Sequence, residues 1–155
     1  KTGALISTSL RMGALTADAP RAQLGQLDVI GRSAGLAFQI QDDWLDVAAD
    51  PDKFGKQQAG DVRTGKKTFL MLTTLERCNK AEREWLTRCL KNKPLNDDDV
   101  GRVTELFNKY DVIRHARDVM TSYYKKAKEA LQKFDDSNYK RDLQQLLIYL
   151  EQREH

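Results

Sequence analysis

The sequence predicts an all-α protein. Apolar residues recur at spacings of three and four along most of the 155 residues, and no segment alternates apolar and polar residues with the period of two that a strand requires. Hydrophobic residues make up 40% of the chain and charged residues 32%, which is an ordinary balance for one domain with a sizeable core. We therefore expect a single domain built only of helices.

Two helices are predicted in the first third of the chain. The first covers residues 2–16 and is broken before Pro20. The second begins at Pro20, with Asp18 as its cap, and runs to about Val47. Two glycines that would allow close contact with another helix lie four positions apart in it, Gly31 and Gly35.

A loop is predicted from Asp50 to Gly65, and helices follow it. Loops this long in compact domains are usually functional or disordered. Cys78 and Cys89 are predicted to lie in one helix, about 16 Å apart along its axis and too far for a disulfide. Two unpaired thiols favour a reducing cytoplasm. The remaining helices are predicted over residues 96–110, with Asn96 as the cap, 112–134 and 143–150.

Composition excludes several classes of protein. The net charge of +3 is small and dispersed, which argues against nucleic-acid binding. No apolar run approaches the roughly twenty residues that a membrane span needs, and no signal peptide is recognised. His115 and His155 have no partners at zinc-ligand spacing. The chain begins without methionine, inside a helical pattern, so we expect it to be a fragment.

An acidic group interrupts an otherwise apolar run at residues 38–47. On a helix, Asp42 and Asp46 lie about 40° apart and Gln39 about 60° from Asp42, so the three share a face, with Asp43 displaced from Asp42. Buried like charges need a cation opposite them. Magnesium fits, because it takes one or two carboxylates and fills its shell with water and phosphate oxygens. The alternative is a solvated helix face that happens to carry three aspartates.

Cations follow in a glycine-punctuated segment around Asp61. Lysine is a compact point charge suited to phosphate oxygens, so cations beside an acidic helix indicate a magnesium and diphosphate site. The alternative is a disordered loop that its lysines merely solvate. The cations of this segment are Lys53, Lys56, Arg63, Lys66 and Lys67.

Five ordered blocks resemble the second half of the trans-prenyl (polyprenyl or isoprenyl) diphosphate synthases, of the farnesyl and geranylgeranyl type. The resemblance covers essentially the whole chain, but the first aspartate-rich motif of the family has no counterpart. The other acidic groups, Asn96–Asp99 and Asp135–Asp136, are interpreted as a helix cap with its first turn and as a loop. The blocks are Lys1-Thr2-Gly3-Ala4-Leu5, Gln39-x-x-Asp42-Asp43-x-x-Asp46, Gly55-Lys56, Gly60-Asp61 and Gly65-Lys66-Lys67-Thr68.

The resemblance implies an isoprenoid-synthase-type helical bundle, with residues 1–155 as the C-terminal part of one polyprenyl synthase domain that lacks the first aspartate-rich helix. It implies magnesium-dependent head-to-tail condensation of an allylic diphosphate with isopentenyl diphosphate, in a homodimer. The family carries two aspartate clusters on facing helices, and without the first one two of its three magnesium ions lose their ligands. This chain alone is therefore expected to be inactive.

The resemblance also implies roles for individual residues. Asp42 is the principal metal ligand, and Asp46 and Asp61 act directly or through bound water. Asp43 is the fourth residue of the implied metal site, and its role is mainly to orient. The implied catalytic residues are Lys1, Thr2 and Gln39, and the implied diphosphate ligands are Lys1, Lys56 and Lys66.

Two other classes remain open. A class I terpene cyclase shares the helical fold and the magnesium chemistry, but its second metal motif is typically of Asn-Ser-Glu type. A non-catalytic helical subunit or fragment is the other. Within the synthases, the spacing from Asp46 to Gly55 and the absence of tyrosine after Asp46 favour short-chain products.

Overall fold

Helices make up all the regular structure in the part of the chain that the computed structural model describes, residues 2–48 and 59–153, and no strand occurs there. The all-α prediction is confirmed. The helices are α1 Thr2–Thr16, α2 Arg21–Ala48, α3 Gly60–Arg63, α4 Phe69–Arg77, α5 Lys80–Lys91, α6 Asp97–Lys109, α7 Val112–Leu131 and α8 Asn138–Gln152. None of these described helices is both long and apolar enough to cross a membrane.

The turn between α1 and α2 differs from the prediction. Asp18 has a φ of 51°, in the left-handed region, and the N–H of Ala19 donates to the carbonyl of Ala14 at 3.0 Å. This is the Schellman arrangement that closes a helix C-terminus. Asp18 therefore ends α1, and its assignment as the cap of α2 was wrong, because the carbonyl of Pro20 accepts the first hydrogen bonds of α2.

The two cysteines do not share a helix, so that prediction was also wrong. α4 ends before Cys78, and Asn79 begins α5 by accepting a hydrogen bond from the N–H of Glu82 at 2.9 Å. The carboxylate of Glu82 accepts from the Asn79 N–H in return, which completes a capping box. Cys78 and Cys89 are both free thiols, as expected.

The predicted loop is only partly within the described residues. Residues 49–58 lie outside them, including Lys56. At the other end, Gly60–Arg63 form a short helix, so the loop prediction was wrong over this stretch. The residue that precedes the helix as its N-cap is Ala59, which is buried and has a φ of 59°.

The chain divides into two compact units. One comprises residues 1–39 and 118–153, and its core joins α2, α7 and α8. The other comprises residues 40–117, in which α3 and α4 each pack against α6. The prediction that residues 1–155 are the C-terminal part of a single domain stays a prediction. The buried core residues of the first unit are Ile30, Ala34, Ala127, Ala130, Leu131 and Leu147.

In the first unit, α1 and α2 touch backbone to backbone. A Cβ placed on Gly35 would lie 2.2 Å from the Cα of Gly3, and one placed on Gly31 would lie 2.4 Å from the Cα of Ser7. No side chain fits at either point, so only glycine allows this separation of the two helices. The close contact expected from the spacing of Gly31 and Gly35 is confirmed.

The glycine contact gives a stability prediction. Replacing Gly31 by alanine forces two backbones apart, and such overpacking costs about 1–3 kcal/mol. Gly31→Ala should therefore lower the free energy of unfolding measured by urea denaturation. The matched control is Gly25→Ala in the same helix, where no atom outside the local helix backbone lies within 4 Å of the new Cβ. That control should gain up to about 1 kcal/mol from helix propensity. Equal effects of the two substitutions would contradict the contact.

Candidate functional site

The carboxylate of Asp46 fixes the start of α3. The N–H of Asp61 donates to Oδ2 of Asp46 at 2.9 Å, and the N–H of Ala59 donates to the carbonyl of Asp46 at 2.8 Å. A helix of four residues does not persist on its own, because nucleation costs more than so few hydrogen bonds return. Asp46 therefore determines where Asp61 lies.

Asp43 serves the start of α4 in a similar way. Its Oδ2 accepts a hydrogen bond from the N–H of Phe69 at 2.9 Å, and the hydroxyl of Thr68 accepts from the N–H of Met71 at 3.2 Å. These two acceptors satisfy backbone donors that have no partner inside the helix. Asp43 thus makes a backbone contact with the next segment of the chain, and the orienting role expected for it stays a prediction.

Lys66 is the counter-charge of the acidic group. Its Nζ lies 2.5 Å from Oδ2 of Asp61 and 3.6 Å from Oδ1 of Asp43. The backbone makes this possible, because the N–H of Lys66 donates to the carbonyl of Asp61 at 2.9 Å and Gly65 takes a φ of 60°. Asp61 and Lys66 therefore lie at the two ends of one tight turn. The hydrogen bond to Asp61 raises the pKa of Lys66.

The carboxylates of this group also repel one another. Burial raises the pKa of Asp43, and the negative charge of Asp61 raises it further, against the hydrogen bond from the N–H of Phe69. Burial likewise raises the pKa of Asp46, again with a contribution from Asp61. Three carboxylates near one ammonium form a negatively charged region, which favours a cation.

The carboxylate oxygens in this region are hard metal ligands, which suit magnesium or calcium. Within residues 2–48 and 59–153, no three histidine, cysteine, aspartate or glutamate side chains are grouped closely enough to hold a metal ion. A cation bound here would therefore have to take most of its shell from water and a ligand. The assignment of Asp42, Asp43, Asp46 and Asp61 as metal ligands stays a prediction. Asp42 is half-buried on α2.

The first unit brings together two predicted catalytic residues. The hydroxyl of Thr2 donates to Oε1 of Gln39 at 3.2 Å, across the glycine contact of α1 and α2. The guanidinium of Arg153 lies 4.3 Å from the ring centroid of Phe38, the neighbour of Gln39. Lys1, like Lys56, lies outside the described residues.

A groove of about 430 Å³ runs between α1 and α2 from Thr2 and Gln39 towards an ionic group. There the hydroxyl of Ser7 donates to Oδ1 of Asp28 at 2.5 Å, and Nε of Arg32 lies 2.8 Å from Oδ2 of Asp28. The hydrogen bond from Ser7 lowers the pKa of Asp28. Sequence reasoning missed this group. The spacing of Asp28 and Arg32 signals an ion pair on one helix, but nothing local indicates Ser7.

Sequence comparison shows which known proteins this chain is similar to. The family model described as polyprenyl synthetase matches residues 1–107. The short chain isoprenyl diphosphate synthase of Methanothermobacter thermautotrophicus is 32% identical over 155 residues, which cover 100% of this chain and 47% of that protein. The chain therefore spans about half the length of this curated relative.

Solved structures agree with this relationship. The geranylgeranyl pyrophosphate synthetase of Pyrococcus horikoshii superposes with a TM-score of 0.88 at 34% identity, over 99% of this chain and 46% of that one. The polyprenyl synthase of Caulobacter crescentus, solved with calcium and isoprenyl diphosphate, gives a TM-score of 0.80 at 28% identity, over 97% and 46% of the two chains. The predicted isoprenoid-synthase-type helical fold is confirmed.

The role of Asp43 as a helix acceptor can be tested by stability alone. Asp43→Ala leaves the N–H of Phe69 without its acceptor, and an unsatisfied amide costs about 1–3 kcal/mol. Asp43→Asn keeps a carbonyl oxygen and should lose less. Chemical denaturation measures both, with the exposed Asp118→Ala as control, for which a change within about 0.5 kcal/mol is expected. If Asp43→Ala is as stable as the control, the hydrogen bond does not support α4.

Proposed function

The chain belongs to the polyprenyl synthetase family, and from this premise we propose that it carries half of the active site of a trans-prenyl diphosphate synthase. The proposed reaction is the magnesium-dependent head-to-tail condensation of an allylic diphosphate with isopentenyl diphosphate, with products of the farnesyl or geranylgeranyl class. The observation that carries the proposal is the convergence of Asp43, Asp46, Asp61 and Lys66 from two separate segments of the chain.

The ligands named for one relative support the same class of chemistry. The Caulobacter crescentus enzyme was solved with calcium and isoprenyl diphosphate. Calcium and magnesium both prefer carboxylate and phosphate oxygens, and the acidic region of this chain offers carboxylate oxygens next to a lysine. We propose that this region receives a divalent cation together with a diphosphate group.

The activity is proposed for a protein that contains the rest of the family fold, because this chain covers 47% of its curated relative. The first aspartate-rich motif has no counterpart here, so the carboxylates that would grip the diphosphate from the opposite side are absent from this sequence. Effective ionisation needs both sides in place. A homodimer stays a prediction.

In the proposed reaction, the C–O bond of the allylic diphosphate breaks, a C–C bond forms to isopentenyl diphosphate, and a proton leaves to restore a double bond. Bound magnesium would stabilise the charge that develops on the leaving diphosphate. Asp42 is the proposed principal ligand, with Asp46 and Asp61 acting directly or through water. Lys66, with Lys1 and Lys56, is proposed to hold diphosphate oxygens, as positioned cations stabilise developing negative charge.

Thr2 and Gln39 have a different proposed task. Their oxygen atoms meet at 3.2 Å at one end of the groove between α1 and α2. Oxygen dipoles placed there would stabilise positive charge on the allylic carbon as the C–O bond breaks. The described residues place no obvious general base at this pair, and the family resemblance implies that released diphosphate takes the proton.

The activity assay separates this proposal from its rival, a non-catalytic helical subunit. We expect prenyl product from a protein that contains this chain and the rest of the family fold, incubated with labelled isopentenyl diphosphate, an allylic diphosphate and magnesium chloride. We expect none at an enzymatic rate from the 155-residue chain alone. If neither protein forms product, the hypothesis of a non-catalytic subunit is supported. A cyclic product without chain elongation would support the hypothesis of a class I terpene cyclase.

The acidic group gives a second expected outcome. In the active protein, Asp42→Ala should lower turnover by about two orders of magnitude or more, since it removes a proposed metal ligand that stabilises the leaving group. The control is Asp98→Ala, an exposed aspartate in the first turn of α6, which should change turnover little. Steady-state kinetics with saturating magnesium provides the measurement. Turnover by Asp42→Ala close to that of the unmodified protein would refute this role for Asp42.

A further inference from the structure

Asp46 holds the start of α3, but the end of this short helix is held from a distant part of the sequence. The carbonyl of Arg63 accepts a hydrogen bond from the N–H of Leu95 at 2.8 Å. Nη1 of Arg63 in turn lies 3.5 Å from the carbonyl of Leu95, and Leu95 itself is buried. The last residue of α3 is therefore joined to the connection between α5 and α6, 32 residues further along the chain.

The guanidinium of Arg63 makes a second contact with this connection. Its Nη2 lies 2.6 Å from Oδ1 of Asp97, the first residue of α6. Asn96, the neighbour of Asp97, is fixed by accepting a hydrogen bond from the N–H of Asp99 at 2.8 Å. The acceptor side of the contact thus belongs to a well-capped helix end. A planar guanidinium that reaches two acceptors at once fixes direction as well as distance.

The rest of the turn is fitted against the same connection. Val62 is buried, and a Cβ on Gly65 would lie 2.9 Å from Cε of Lys93. Gly65 therefore lets the aliphatic part of the Lys93 side chain pass close to the turn. Gly65 immediately precedes Lys66 in the sequence, and the Nζ of Lys66 contacts Asp61.

We propose that Arg63 is a positioning residue, which holds Asp61 and Lys66 in place by fixing the turn between them to the α5–α6 connection. This inference rests on the proposed function, because it assigns Asp61 and Lys66 to the cation and diphosphate. Arg63 touches neither ligand in this role. It acts through residues 60–66, whose start is held by Asp46 and whose last residue lies near Asp43.

The solvent exposure of the contact between Arg63 and Asp97 indicates that it positions residues 60–66 more than it stabilises the fold. The side chain of Asp97 is 88% exposed and that of Arg63 is 31% exposed. Exposed ion pairs contribute little to the free energy of unfolding. Displacing groups that must meet a diphosphate and a metal ion together is far more costly, because their effect depends on exact placement. Loss of Arg63 should therefore weaken diphosphate binding much more than it lowers thermal stability.

The test uses the protein of the activity assay and measures the dissociation constant for inorganic diphosphate in the presence of magnesium chloride. Arg63→Gln and Asp97→Ala should each weaken binding about tenfold, with a change in Tm below about 4 °C. Because Arg63→Gln already removes the contact with Asp97, the double variant should bind as weakly as Arg63→Gln. The matched controls are Asp98→Ala and Arg77→Gln, whose guanidinium donates to the Tyr110 carbonyl at 3.1 Å, and both should bind within about twofold of the unmodified protein.

Amide hydrogen exchange gives a second readout that does not require diphosphate. Exchange over residues 60–66 should be faster in Arg63→Gln and in Asp97→Ala, and unchanged in the two controls. Unchanged exchange there, unchanged affinity in Arg63→Gln, or strictly additive effects in the double variant would each overturn the role of Arg63. If the unmodified protein binds no diphosphate, the proposed function fails and this role fails with it. Tight binding by both the unmodified protein and Arg63→Gln rejects the role of Arg63 alone.

Discussion

Two carboxylates of α2 accept hydrogen bonds from the backbone at the starts of the next two helices, and the geometry of the acidic region depends on them. Asp46 receives the N–H of Asp61, and Asp43 receives the N–H of Phe69. Each contact satisfies a donor that a helix leaves unpaired. The same side chains that give the region its negative charge thus determine where the following segments lie, so a change to either one alters structure and electrostatics together.

Burying these carboxylates is unfavourable, and the surrounding contacts only partly offset it. Burial raises the pKa of both Asp43 and Asp46, while backbone N–H groups and Lys66 act in the opposite direction. Lys66 is one ammonium among three carboxylates. A region of this kind favours an additional cation, and in the proposed function a diphosphate would contact both the cation and the lysine. This balance is the physical basis of the function proposed for a member of the polyprenyl synthetase family.

In the first unit, the main constraint is the close approach of α1 and α2. Gly31 and Gly35 leave no side chain between α1 and α2, so backbone atoms meet and the register of the two helices is fixed. The hydroxyl of Thr2 reaches Gln39 as a result of that register. A larger residue at either glycine would move Thr2, although neither glycine belongs to the pair. Small residues outside this pair can in this way determine the distance between its two members.

The sequence alone determined the helical fold, the family and most candidate residues, because helical periodicity and ordered motifs are local patterns. Gly31 and Gly35 were correctly read from their spacing as a close contact. The tertiary structure decided what local patterns do not carry: that Gly60–Arg63 is helical, that Asp43 and Asp46 accept from backbone N–H groups, and that Arg63 meets Asp97. These contacts join residues 15 to 34 positions apart, and their partners become neighbours only when the chain has folded.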